Sequence, residues 1–219
     1  MATEYEFKYK ADYDSLTAIN ISSPQVPRVI EMETVYFDTR QGSLAKLHYT
    51  LRRRKENDKY ICTIKAPAPE AKQTWKDEVA AEYNHHPSAV KHLTGATRNE
   101  WEVECERIEE ALPLLVAQGA PKEVWRLAAE EGLISVCGAK FRRIARTIKL
   151  RDAEVEEALD SGYLLGGNKQ QFFYELEVEV KSGNKVTAGR YANDLANQYD
   201  LEPETESKFA RALKLYKGE

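Results

Sequence analysis

Apolar and charged residues alternate from the start of the chain. Between 3 and 10, Glu4, Glu6, Lys8 and Lys10 fall on one side and Tyr5, Phe7 and Tyr9 on the other. A period of two predicts a strand. A short helix is expected around 13–20. The apolar run at 35–38 predicts a strand closed by a turn at Gly42. Residues 49–54 and 60–65 predict two strands joined by the polar loop Lys55-Glu56-Asn57-Asp58-Lys59. Another strand is expected at 76–83.

Helical spacing then dominates 87–132, with pieces at 106–118 and 122–131 stopped by Gly119 and Gly132. Strands return at 139–150, 155–159 and 172–180, the last ending in the turn Lys181-Ser182-Gly183-Asn184. Two helices close the chain, at 186–198 and 205–216. The class is α+β, with about eight strands in a mainly antiparallel sheet. Closing such a sheet into a barrel removes its edges. No linker or repeat divides the chain, so residues 1–219 read as a single domain with the helical segment 87–132 inserted between strands.

The charged faces of these strands are unusual as a set. Any one of them would ordinarily face solvent. Yet Glu4, Glu6 and Lys8 share a face, as do Arg52 and Arg54, and Glu175, Glu177 and Glu179. Thr63 aligns with Lys65, and Lys76 with Glu78. Rows of like charge repel. One arrangement satisfies both signs: charged faces line a barrel interior, and helices cover the apolar outer faces. The carboxylates would then hold divalent cations and the basic side chains a polyanion. Hard oxygen donors without Cys or His clusters favour Mg²⁺ or Mn²⁺, and arginine forks suit phosphate oxygens.

Composition narrows the alternatives. The charge balance is 32 basic against 36 acidic residues, a net of -4, which argues against a generic nucleic-acid binder. An RNP-type motif is absent. No apolar run approaches the length of a membrane span, and the acidic N-terminus has no secretory apolar region. The three cysteines Cys62, Cys105 and Cys137 are far apart and read as reduced thiols, so a cytoplasmic protein is expected. Phosphate-cradling glycine loops and the Gly-x-Ser-x-Gly elbow are also missing.

Several segments in order resemble the CYTH family, also called triphosphate tunnel metalloenzymes. Glu4-Tyr5-Glu6-Phe7-Lys8 resembles its Glu-x-Glu-x-Lys opening. Leu51-Arg52-Arg53-Arg54 resembles the Leu-Arg-x-Arg strand, and Thr63-Ile64-Lys65 the lysine strand that follows. Lys76-Asp77-Glu78 resembles the basic-x-Glu strand, and Leu159-Asp160-Ser161-Gly162 an Asp-x-Gly turn. Glu175-Leu176-Glu177-Val178-Glu179-Val180-Lys181-Ser182-Gly183 is similar to the glutamate-rich strand and its Lys-x-Gly turn, and Ser207-Lys208 to the C-terminal Ser-Lys.

The resemblance implies an eight-stranded antiparallel β-barrel forming a triphosphate tunnel, with helices packed outside, and an enzyme that needs a divalent metal. Glu4, Glu6, Glu175, Glu177 and Glu179 would serve as metal-side carboxylates, with Asp160 as an acidic partner. Lys8, Arg52, Arg54, Lys65, Lys76 and Lys208 would bind the triphosphate, and Glu78 would pair with such a cation. One more basic residue should come from the 140–146 strand. Arg143 is the choice, because Ile144, Ile148 and Leu150 suit the outer face; a bulge would bring in Arg142 instead.

Glu4, Glu6, Arg52, Arg54 and Lys65 are the expected catalytic set, activating water and neutralising the leaving diphosphate. Thr50 stands where thiamine triphosphatases carry a tryptophan, although Trp75 or Tyr49 are alternative platforms for an organic ring. The His-Phe-Glu opening of class IV adenylyl cyclases is missing. Inorganic tripolyphosphate is therefore the expected substrate. Thiamine triphosphate hydrolysis, cyclic AMP formation and non-catalytic polyphosphate binding are the alternatives. The helical segment is read as barrel cover, with a homodimer surface or a lid as its other uses.

Overall fold

The computed structural model describes residues 2–68 and 95–219. Its first half runs β1 (Ala2–Lys10), α1 (Tyr13–Ser22), β2 (Arg28–Thr39), α2 (Ser43–Lys46), β3 (Thr50–Glu56), β4 (Lys59–Pro67) and β5 (Gly95–Glu104). Then come α3 (Ile108–Ala117), α4 (Lys122–Glu131), β6 (Leu133–Lys149), β7 (Ala153–Gly166) and β8 (Lys169–Gly183). The chain ends with α5 (Lys185–Gln198), the two-residue β9 (Glu202–Pro203) and α6 (Lys208–Lys217).

Strands pair antiparallel in the order β5-β4-β3-β2-β6-β7-β8-β1, and β1 pairs back onto β5. The sheet is thus a closed eight-stranded barrel, with β9 added alongside β1. Among the described residues, no helix is long and apolar enough to cross a membrane.

The outer faces are apolar and covered. Phe7, Tyr9, Leu159, Leu176 and Val178 form one core with Leu16 and Ile19 of α1 and Ala188, Ala192 and Ala196 of α5. Leu51, Cys62, Ile64 and Trp101 form another with Leu44, Ile108, Leu112, Leu115 and Val124 of α2, α3 and α4. Burying each large apolar side chain contributes about 1.5–3 kcal/mol, which ties the helices to the outside of the barrel. Helix α6 packs differently. Its Phe209 meets Tyr36, and its Ala212 belongs to a cluster with Phe141, Leu164 and Phe173, so it closes one end of the barrel.

Two expectations need correction. Residues 95–104 lie within the segment read as helical, yet they form β5. Charges at 98, 100, 102 and 104 alternate with Trp101 and Val103, and Trp101 is buried in the outer core while β4 and β1 take up the backbone hydrogen bonds. Among the described residues of the segment 87–132, helix is confined to α3 and α4.

The expected Asp-x-Gly turn is no turn. β7 runs unbroken through Asp160 and Gly162, paired on both sides. Gly162 is needed for close approach: a Cβ there would lie 2.3 Å from the Lys140 carbonyl oxygen and 2.5 Å from Phe141 Cα. Phe141 and Phe173, its partners on either side, meet edge-on with ring centroids 5.7 Å apart. The strand expected at 76–83 lies outside the described residues.

Candidate active site in the barrel interior

A cavity of about 380 Å³ occupies the barrel. Period-two strands project their charged residues into it. β1 contributes Glu4, Glu6 and Lys8; β3 gives Arg52 and Arg54; β4 gives Lys65; β6 gives Arg143; β8 gives Glu177 and Glu179. Helix α6 contributes Lys208. The Ser207 hydroxyl accepts from the Ala210 N–H at 3.1 Å and caps the helix, which fixes Lys208 in the first turn. Asp160 and Glu175 are fully buried in the wall, in contact with Lys208. Lys76 and Glu78 lie outside the described residues.

Strand register sets the layout. Glu6, Glu179 and Glu156 are direct neighbours across β1, β8 and β7. Four residues on along β7, and four back along β8, the row reads Arg143, Asp160, Glu175 across β6, β7 and β8. Arg143 donates from Nε and Nη2 to the two oxygens of Asp160, at 2.8 and 2.7 Å, and from Nη2 to Glu177. Lys208 Nζ lies 2.8 Å from both Asp160 Oδ2 and Glu177 Oε1 and also donates to Glu175. Arg142 instead sits on the outside, more than half exposed and 3.8 Å from Glu31, so Arg143 is the inward residue.

On the opposite wall Arg52 Nη2 reaches Glu100 at 3.2 Å and Glu102 at 3.5 Å. Lys65 pairs with Glu4 and lies 3.3 Å from Glu100. Arg54 pairs with Glu56. The Nε atoms of Arg52 and Arg54 are buried without a hydrogen-bond partner among the described residues, so donors remain for an anion.

These contacts shift titrations. Burial, with Glu177 adding to it and Lys208 and Arg211 opposing it, pushes Glu175 up to about 7. Burial would also raise Glu177, but Lys208 and Arg143 outweigh it and hold this carboxyl well below its usual range. The two carboxylates are coupled neighbours, and like charge settles the first proton on the more enclosed Glu175. Against the burial that would lower it, Asp160, Glu175 and Glu177 hold the Lys208 ammonium above its ordinary value. Burial and then the neighbouring Arg52 push Arg54 down.

Sequence reasoning missed Arg98, Glu100 and Glu102, all on the cavity wall from β5. The signal was present: Arg98-Asn99-Glu100 is itself a basic-x-Glu run in an alternating stretch. Arg28 and Glu156 also line the cavity and have no place in the sequence reading, and Lys181, read there as the start of a turn, lines it from within β8, which runs on to Gly183. Tyr49, considered as a ring platform, packs in the outer core and donates to Glu123 at 3.2 Å, away from the interior. Trp75 lies outside the described residues. Among those described, the aromatic side chains on the cavity wall are Tyr36, Phe141 and Phe209, beside α6.

The donor set suits a hard divalent cation. Oxygens of Asp160, Glu175 and Glu177 all lie within 4.8 Å of one another, and Glu4, Glu6 and Glu179 add further carboxylates. Lys208 supplies the positive charge among the first three.

Solved structures share the fold. A protein from Hippeastrum, described as an adenylyl cyclase with a dominant triphosphatase activity, is 18% identical with a TM-score of 0.62, over 98% of this chain and 95% of its own. A protein from Pyrococcus horikoshii is 15% identical, TM-score 0.55, over 97% and 99%. One described as an adenylate cyclase from Vibrio parahaemolyticus is 15% identical, TM-score 0.51, over 96% and 97%. The CYTH domain itself is matched over residues 2–213, nearly the full length and including every inward charged residue named above, and the chain belongs to the CYTH domain family.

Proposed function

We propose that this protein hydrolyses a triphosphate in a metal-dependent reaction, with inorganic tripolyphosphate as the substrate, cleaved to diphosphate and phosphate. The observation that carries this reading is the wall of the cavity. Arg52, Arg54, Lys65, Arg98, Arg143 and Lys208 converge on a space that also presents Glu4, Glu6, Glu177 and Glu179. Basic side chains can grip successive phosphates, while the carboxylates balance them and offer oxygen donors. Among the described residues, the aromatic rings that line the cavity, Tyr36, Phe141 and Phe209, belong to the clusters packed against α6 beside Lys208. That distribution favours an inorganic chain over a substrate carrying a base or thiazolium ring.

Phosphoryl transfer depends on positioning and charge neutralisation more than on covalent help. The guanidinium groups of Arg52 and Arg54 hold non-bridging oxygens and fix the chain in line, and Arg143, whose Nε and Nη2 are taken by Asp160, adds its positive charge and Nη1. Lys65 and Lys208 act as point charges at the two walls. Glu4 and Glu6 orient the attacking water and receive its proton. The carboxylates Glu4, Glu6, Glu177 and Glu179 would hold a divalent ion, Mg²⁺ or Mn²⁺ on donor chemistry, which would supply further neutralisation of the phosphate oxygens.

The test is phosphate release from tripolyphosphate, ATP and thiamine triphosphate, with Mg²⁺, Mn²⁺ or chelator, for wild type and Glu6→Gln. Fast metal-dependent cleavage of tripolyphosphate, lost in the variant, is expected. Absence of release from every substrate sinks the hydrolase reading. Cyclic AMP from ATP would then indicate a cyclase, and binding without turnover a polyphosphate-binding module.

A further inference from the structure

Arg211 follows Lys208 by three residues, one turn along α6. Its side chain is 15% exposed, yet it does not line the tunnel; it borders a second cavity with Lys10, Phe173 and Lys214. From there Nη2 donates to Glu175 Oε2, while the other oxygen of the same carboxylate takes the Lys208 ammonium from the tunnel side. Nη1 lies 3.2 Å from Glu204 Oε2, and the guanidinium sits 5.5 Å over the Phe173 ring. Glu204 is itself buried, and its backbone N–H donates to the Lys8 carbonyl at 2.9 Å. One side chain therefore ties α6 to β8 and to the segment leading into Lys208.

Glu175 is thus held between two cations, and only one of them faces the cavity. Without Arg211 this fully buried carboxylate would have Lys208 as its remaining close cation. Arg211 is also the tie that fixes Glu175 against α6, so without it the carboxylate that places the Lys208 ammonium is no longer held from behind. A phosphate oxygen would then meet Lys208 in a less defined position.

We propose that Arg211 is a positioning residue that acts through Lys208: by anchoring Glu175 from behind, it holds the ammonium in place for a phosphate of the bound chain. This inference rests on the triphosphate reading above.

The test is calorimetric titration of tripolyphosphate into the full chain in EDTA, a readout independent of metal and turnover. Wild type, Arg211→Met, Arg211→Lys, Lys208→Met and the Arg211→Met/Lys208→Met double variant are compared. Arg211→Met is expected to bind roughly tenfold more weakly, and the double variant within about twofold of Lys208→Met alone, since both changes act on one contact. Arg211→Lys keeps the charge but cannot span Glu175 and Glu204 as a fork, so a loss of about threefold is expected even if the Met variant does not fold. Wild-type affinity in either Arg211 variant, or additive losses in the double variant, would overturn the proposal. No binding by wild type would instead overturn the triphosphate reading and this inference with it.

Discussion

Replacing Arg143 by Met removes the cation that braces the tunnel floor. Asp160 is fully buried, and the Arg143 side chain is 12% exposed, so solvent screens the pair little. Two hydrogen bonds at 2.8 and 2.7 Å join them, and a third contact reaches Glu177. Unit charges 4 Å apart attract by about 4 kcal/mol at an effective dielectric near 20, and breaking one side of a buried pair costs about 3–5 kcal/mol. Lys208, 2.8 Å from Asp160, remains as compensation and sets the expected loss at the low end, about 3 kcal/mol. For a chain of this size that lowers Tm by roughly 6–12 °C. Thermal melts of wild type, Arg143→Met, Asp160→Asn and Arg143→Met/Asp160→Asn at pH 7 measure it. The double variant, with neither charge, should recover most of the loss. A Tm for Arg143→Met within 2 °C of wild type, or additive losses in the double variant, would refute the account of the floor as a mutually compensated ion cluster.

Gly162→Ala should cost about 3 kcal/mol or more, since the new methyl meets the backbone of β6 at 2.3 and 2.5 Å and the Phe141 Cβ at 2.6 Å and forces Phe141 from Phe173; chemical denaturation that gives wild-type stability would contradict the close strand contact. Burial raises the Glu157 carboxyl, with Tyr191 and Arg146 partly offsetting it, so the folded state takes this proton more readily than the unfolded one. Its contribution to stability is therefore complete below the ordinary value of 4.5 and is lost as pH rises past it. The Tm advantage of Glu157→Gln over wild type should grow from pH 4 to pH 7, and a pH-independent difference would count against the assignment.

Much of the barrel was legible because alternation is a local property. The period-two runs in β1, β3, β4 and β8 told which side chains share a face, and like charges in rows made an inward orientation the consistent one. The apolar run beside Arg143 likewise pointed it inward, as the structure has it. β5 was less legible. Its alternating stretch follows a segment with helical spacing, and the pairing with β4 and β1 that settles it as a strand comes from residues more than thirty positions away.

Gly162 shows the same limit in another form. A glycine after Asp160 looks like a turn locally, but here it answers a neighbouring strand that approaches too closely for a side chain.

The sequence by itself determined which residues alternate, where α6 is capped and which charges are available, because these depend on neighbours within a few residues. Only the tertiary structure decided which charges meet. Arg98 and Glu100 entered the wall when β5 closed the barrel, and Glu175 became the shared partner of Lys208 and Arg211 when α6 docked against its end. The reason is physical: an ion pair is set by distance and burial in space, and both are fixed by closure of the sheet and packing of the helix across it.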